Sequence, residues 1–157
     1  MSDSEFEKLR EGFHVWITLP ILWGDQDSFG HVNNTIYLRW FESARIEYGH
    51  RAGLSQTNPQ SGSGPAVGPI LAAISCNYRR QLKYPDTVHI GARITRIGNS
   101  SLKMEHRVIS QLLGAVAADG DSTLVVFDYA AQKPVAVPAP VRAAVEKLEG
   151  TPFPMQR

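Results

Sequence analysis

Asp25, Asp27 and His31 crowd into the segment Asp25-Gln-Asp-Ser-Phe-Gly-His-Val-Asn-Asn34. Two carboxylates and an imidazole in so short a stretch suit several chemistries. A carboxylate can attack a carbonyl carbon or take a proton from water. If a helix begins next to it, the helix end adds free N–H groups and a partial positive charge, which can hold an anion or a developing oxyanion. The three side chains could also touch a metal, but three such donors are too few to identify one. A calcium loop starting at Asp25 would need an oxygen ligand at Phe29 and an acid at Ile36, and has neither. A phosphoryl-transfer loop of the Asp-x-Asp kind belongs on an alternating αβ repeat, which this chain lacks. The same polar residues also suit a purely structural task, capping a helix and shaping a turn. Spacing alone does not choose between that task and catalysis.

The flanking elements place the segment between a strand and a long helix. Phe13 to Trp23 is apolar and branched, which predicts a strand, with Pro20 marking an edge or bulge. Asn34 to Ala52 predicts a helix, because Tyr37, Phe41, Ala44 and Tyr48 recur at helical steps. Asn33 is its expected N-cap and Gly53 its stop. Ser55 to Gly68 is rich in Ser, Gly and Pro and reads as a loop. Pro69 to Tyr78 is an apolar run. Val88 to Ile94 and Leu102 to Val108 alternate with the two-residue period of half-buried strands, joined at Gly98-Asn99-Ser100 by a hairpin turn. Thr123 to Ala130 is a further strand, paired near Leu112 to Ala118, and Pro140 to Leu148 is a short helix. The order predicts an α+β domain, one helix lying on an antiparallel meander of at least four strands.

Composition narrows the partners. The chain has 157 residues, and 16 basic against 15 acidic side chains give a formal net charge of +1. That length fits one domain spanning 1–157, with a core over about 13–148, and supports a core without covalent staples. The charge balance argues against nucleic acid, whose binders carry a basic excess. A lone cysteine, Cys76, excludes a disulfide framework and a multi-thiolate zinc site within one chain and points to a reducing compartment. No apolar run is long enough to span a membrane, and the first residues carry no apolar signal, so a cytoplasmic location is expected. Cys76 reads as packed in its strand, and His106 as a hydrogen-bonded core or interface histidine. Arg79-Arg80, Arg93, Arg96, Lys103 and Arg107 read as a solvated sheet face or an interface. A chain this small has little room for a deep pocket of its own.

The stretch Trp23-Gly-Asp-Gln-Asp27-Ser-Phe-Gly-His31-Val-Asn-Asn34-Thr-Ile-Tyr37-Leu-Arg-Trp40 resembles the signature of hot-dog-fold acyl-CoA thioesterases of the 4-hydroxybenzoyl-CoA thioesterase type. Downstream, Val67-Gly68-Pro69-Ile70 resembles that family's entry to its second strand and Tyr84-Pro85-Asp86-Thr87-Val88 its turn into the third. Leu124 to Asp128 with Lys133 to Pro138 resembles the last strand and its exit.

The resemblance implies a hot-dog fold, an antiparallel sheet wrapped around one long helix. It implies hydrolysis of an acyl-CoA or aryl-CoA thioester to acid and thiol, with Asp27 as nucleophile or general base. The backbone N–H of Asn34 would polarise the carbonyl, and His31 would orient substrate or water. Substrate contacts are expected at Tyr37 and, around the hairpin turn, at Arg96, Ser101 and Lys103. Phe29, Trp40 and Phe41 suit an acyl or aryl tail. Coenzyme A enters as part of the substrate, and no separate cofactor or metal is implied. The family builds its site between protomers, so a homodimer, paired into a tetramer, is expected. The turn Gly98-Asn99-Ser100-Ser101 carries no charge where relatives often hold coenzyme A phosphates, which keeps acyl carrier protein thioesters open. A non-catalytic hot-dog protein that binds acyl thioesters is the alternative from another class. The Asp/His pattern of hot-dog hydratases is missing.

Overall fold

A computed structural model describes residues 1–54 and 67–155. Three helices and six strands follow in the order α1 (Asp3–Arg10), β1 (Val15–Pro20), α2 (Asn34–Ala52), β2 (Val67–Tyr78), β3 (Thr87–Ile97), β4 (Ser101–Ser110), β5 (Ala115–Asp128), β6 (Lys133–Pro134) and α3 (Ala139–Glu149). The strands form one antiparallel sheet in the order β1-β3-β4-β5-β2, with β6 paired to the end of β5. The sheet curls around α2, the hot-dog arrangement of the α+β class.

Alternation sets the two faces. Val88, Ile90, Ala92 and Ile94 of β3 point inward, as do Leu102, Met104, His106 and Val108 of β4 and Ser122, Leu124 and Val126 of β5. They meet Tyr37, Phe41, Ala44 and Tyr48 of α2, all buried. Bulges in β2, β3 and β5 bend the sheet, as an extra residue in one strand does. Gly120 marks the tightest approach: a Cβ there would collide with the Ser75 carbonyl and lie 2.9 Å from the Phe41 ring. Both ends of α2 match the expected signals. The Asn33 side chain accepts from Thr35 N at 3.0 Å, and Gly53 closes the helix at φ 73°.

Helix α3 ties the package together. Glu149 Oε1 accepts from the Tyr48 hydroxyl at 2.6 Å and from Ile94 N, at the β3 bulge, at 2.9 Å. Helix α1 lies on the outer face of the sheet. Its C-terminal carbonyl at Leu9 accepts from Arg107 at 2.8 Å, and the Phe6 ring meets His89 edge-on. This helix escaped the sequence reading, although Ser2 and Glu5 form a capping box at its start.

Four expectations need correction. The first strand is shorter than Phe13 to Trp23: it ends at Pro20, and Trp23–Asp25 forms a 3-10 turn. The pair of strands expected around Leu112–Ala118 and Thr123–Ala130 has a different form. Its core is one long strand, Ala115–Asp128, because Asp119 and Asp121 face outward and do not break it. Strand β2 is not part of the meander but crosses to the far edge beside β5. Of the loop expected over 55–68, Val67 and Gly68 already belong to β2, and 55–66 lies outside the described residues.

His106 behaves as expected. It is buried, its Nε2 lies 2.9 Å from Ser122 Oγ, and its ring stacks on Phe41 at 4.6 Å between centroids. Burial, with the Arg45 cation nearby, pushes its pKa from 6.5 down to about 3. The folded protein therefore keeps it neutral where the unfolded chain would bind a proton. Its contribution is whole above about 6.5 and is lost as the pH falls through that window towards 3. Urea unfolding should show midpoints that fall between pH 7 and pH 4, and His106→Gln should flatten that decline. Asn33→Ala should lower stability by about 1 kcal/mol through the lost cap, read from the same titration at pH 7.

Candidate active site

The loop from Trp23 to Asn34 is held by its own backbone and by the chain beside it. Leu22 N donates to Asp25 Oδ2 at 2.7 Å, which closes the 3-10 turn. Gln26 bridges Val32, Asp27 N donates to the His31 carbonyl at 2.9 Å, and Asn33 N donates to the Asp25 carbonyl at 2.9 Å. Val32 N donates to the Leu82 carbonyl at 2.7 Å, fastening the loop to the segment between β2 and β3. Gly30, at φ 81°, makes the tight turn. Asp25 is thus committed to its turn, while Asp27 is left facing a cavity.

That cavity, of about 330 Å³, is lined by Asp27, His31, Asn34 and Tyr37 together with Tyr78, Arg79, Arg80 and Gln81. Asp27 Oδ1 accepts from Phe29 N at 2.8 Å, and Oδ2 lies 3.8 Å from His31 Nδ1. The Asp27 side chain keeps 24% of its surface exposed, so a carboxylate oxygen stays open to a reactant. In the first turn of α2, Thr35 N is taken by Asn33 Oδ1 and Ile36 N by the Asn33 carbonyl. Among the described residues no acceptor meets the Asn34 N–H, which leaves it as a donor at the positive end of a helix dipole. The Tyr78 hydroxyl donates to the Asn34 carbonyl at 2.9 Å, pinning that residue from the side of β2.

Aromatic packing shapes one wall. Tyr37 meets Tyr78 edge-on at 5.0 Å between centroids and leans on Trp40 at 5.1 Å. Burial, with a smaller effect from Cys76, pushes Tyr37 up to about 12, so it stays a neutral hydroxyl. Burial likewise raises Cys76 and holds it as a thiol, in keeping with a packed rather than a reactive role. Arg79 pairs with Asp119 through two bonds of 2.9 and 3.2 Å, which raises the arginine and lowers the aspartate. Among the described residues no three His, Cys, Asp or Glu side chains converge on a point that could hold a metal ion.

The structure therefore brings together Asp27, His31, Asn34 and Tyr37. It does not bring Arg96, Ser101 and Lys103 to the same cavity. Those three flank the hairpin between β3 and β4, where Arg96 pairs in register with Lys103 and Lys103 Nζ lies 3.9 Å from Asp121. Of the aromatics expected to hold a tail, Trp40 and Phe41 are buried in the core and Phe29 projects into solvent; Tyr37 reaches the cavity. Sequence reasoning missed Tyr78, Arg80 and Gln81 and placed Arg79-Arg80 on a sheet face. They stand where β2 ends, and both arginine N–H groups are fixed on the Ala117 carbonyl. A larger cavity of about 850 Å³ lies between α1 and the start of β3, away from Asp27 and the α2 N-terminus.

Known proteins resemble this chain in sequence and fold. The profile of the thioesterase-like superfamily matches residues 21–145. Among curated proteins, the long-chain acyl-CoA thioesterase FadM of Escherichia coli (strain K12) is 27% identical over 123 residues, 78% of this chain and 89% of its own. A thioesterase from Thermus thermophilus, solved with coenzyme A and zinc, is 34% identical at a TM-score of 0.77, covering 91% of this chain and 99% of that one. A thioesterase-superfamily structure from Jannaschia sp. CCS1 covers 98% of this chain and 96% of its own at a TM-score of 0.82 and 20% identity, a likeness of fold. With the profile spanning the Asp27 loop, α2 and every long strand after it, the chain belongs to the thioesterase-like superfamily.

Proposed function

We propose that this protein hydrolyses acyl-CoA thioesters in the manner of the 4-hydroxybenzoyl-CoA thioesterase type, with Asp27 supplying the reacting oxygen. One observation carries the reading: an accessible Asp27 carboxylate and an unclaimed Asn34 N–H border the same cavity among the described residues. The acyl-CoA activity of FadM and the coenzyme A in the Thermus structure support the substrate class.

The chemistry needs few groups. The thioester carbonyl oxygen sits against the Asn34 N–H, where the helix dipole favours the charge that develops. Asp27 either attacks the carbonyl carbon, giving a mixed anhydride that water opens, or removes a proton from a water that attacks. In both routes the carbonyl re-forms as the C–S bond breaks, and the thiolate leaves with the electron pair. His31, beside Asp27 Oδ2, orients the water. Asp27→Asn should lower kcat by about 10²- to 10⁴-fold on a panel of acyl-CoAs. Wild-type rates in that variant would remove Asp27 from the mechanism. In a single turnover in ¹⁸O-water, label in the Asp27 side chain marks an anhydride opened by water at its aspartyl carbon, which the general-base route never forms.

The assembly we propose starts from an edge. Strand β2 is long and lies at one margin of the sheet, with Val67, Ile70 and Leu71 each about two-fifths exposed. An apolar edge of this kind pairs with another chain unless it is covered. We place the homodimer there, two β2 edges joined, with a tetramer as two such dimers. Sedimentation at micromolar concentration should find no monomer, and Ile70→Lys with Leu71→Lys should release it. Among the described residues no helix is long and apolar enough to cross a membrane. One domain in the cytoplasm is the organisation that goes with a lone thiol and this compact arrangement of strands.

A further inference from the structure

The segment between β2 and β3 runs beside the Asp27 loop in a fixed order. Arg80 lines the Asp27 cavity. Further along, the Leu82 carbonyl accepts from Val32 N at 2.7 Å, Tyr84 N donates to Gln26 Oε1 at 3.2 Å, and the Asp86 carbonyl accepts from Ile21 N at 2.9 Å. As the number rises on one segment it falls on the other, so the two run antiparallel and lead away from the cavity. Along this path the exposed side chains come in sequence: Arg80, Lys83, then Tyr84 edge-on to Trp23, with ring centroids 5.8 Å apart at 90°.

Charge on this path is unspent. Arg79 is held by Asp119, but Arg80 and Lys83 make no ion pair or side-chain hydrogen bond among the described residues. Two acids further along the path, Asp25 and Asp86, are committed. Asp25 Oδ2 accepts from Leu22 N, and Asp86 accepts from Thr87 N, Ser110 Oγ and Leu112 N. These two cations therefore stand between the cavity and an aromatic pair of which Trp23 is 74% exposed and Tyr84 45%. Exposed aromatics of this size, backed by a fixed turn, offer a flat π-face to a planar ring.

We infer that this path is the binding track for the nucleotide end of the substrate's carrier, Arg80 and Lys83 taking phosphates and the Trp23–Tyr84 pair taking the adenine. The inference rests on the reading that the thioester enters the Asp27 cavity. The order on the protein, cavity, cations and then aromatic pair, follows the order of thioester, phosphates and base in coenzyme A. It also supplies cations that the uncharged Gly98–Ser101 turn does not, and it favours coenzyme A over a protein-bound phosphopantetheine, which has no adenine.

Calorimetric binding of coenzyme A and of pantetheine to the intact protein tests the track without turnover. Wild type should bind coenzyme A at least about tenfold more tightly than pantetheine, as charge-assisted phosphate contacts require. Arg80→Ala with Lys83→Ala should erase most of that difference and reduce the salt dependence of coenzyme A binding. Trp23→Ala should weaken coenzyme A and leave pantetheine binding as it is. Equal affinity of wild type for the two ligands overturns the track. So does coenzyme A affinity that survives in these variants but falls in Arg96→Ala with Lys103→Ala, which would move the phosphates to the hairpin. Hydrolysis that persists in Asp27→Asn would overturn the catalytic reading and leave the binding result standing, so the two failures are distinguishable.

Discussion

The structure depends on burying one helix inside a curled sheet. Helix α2 carries Tyr37, Phe41, Ala44 and Tyr48 along a single stripe, and none of these can face water without large loss of apolar burial. A flat sheet would cover only part of the stripe. The bulges in β2, β3 and β5 and the missing side chain at Gly120 let the strands close on it. Once α2 is seated, its N-terminus has a fixed position at the end of the barrel-like wrap. The loop that feeds it, Asp25 to Asn33, inherits that position.

The groups of the candidate site gain definition from short bonds, not from the core itself. Asp27 is oriented by Phe29 N, the α2 cap by Asn33, and Asn34 by the Tyr78 hydroxyl that reaches over from the edge strand. The cavity is therefore built from three separate stretches of chain: the loop before α2, the first turns of α2, and the exit from β2. It is also shallow and close to the unpaired margin of the sheet.

What the sequence makes legible follows from which forces are local. Helix α2 is readable to the residue because its stripe, its Asn33 cap and its Gly53 stop are all encoded within it. The strands β3 and β4 are readable from alternation, and the Asp27 motif from its residues. Strand β5 is legible only from Thr123 onward; its aspartates at 119 and 121 meet Asn77, Arg79 and Lys103 across neighbouring strands, partners no local pattern reveals. Tyr78 and Arg80 are invisible for the same reason. Their importance comes from where β2 ends, and β2 is placed by pairing with β5. Arg96, Ser101 and Lys103 illustrate the converse, residues chosen by resemblance that the fold sets beside a different stretch of sheet.

The position of β5 has a consequence for how the chain folds. It lies between β4 and β2, so Val67 at the start of β2 pairs with Asp128, and Tyr78 with Ala118. During synthesis β2 emerges well before its partner, and its apolar residues must wait without a ladder until β5 arrives. Such non-local pairing slows folding and exposes strand edges on the way. Tyr78 cannot take its place beside Asn34 until that late ladder forms. The Asp27 cavity thus depends on a ladder of high sequence separation as well as on the local β3–β4 hairpin and α2.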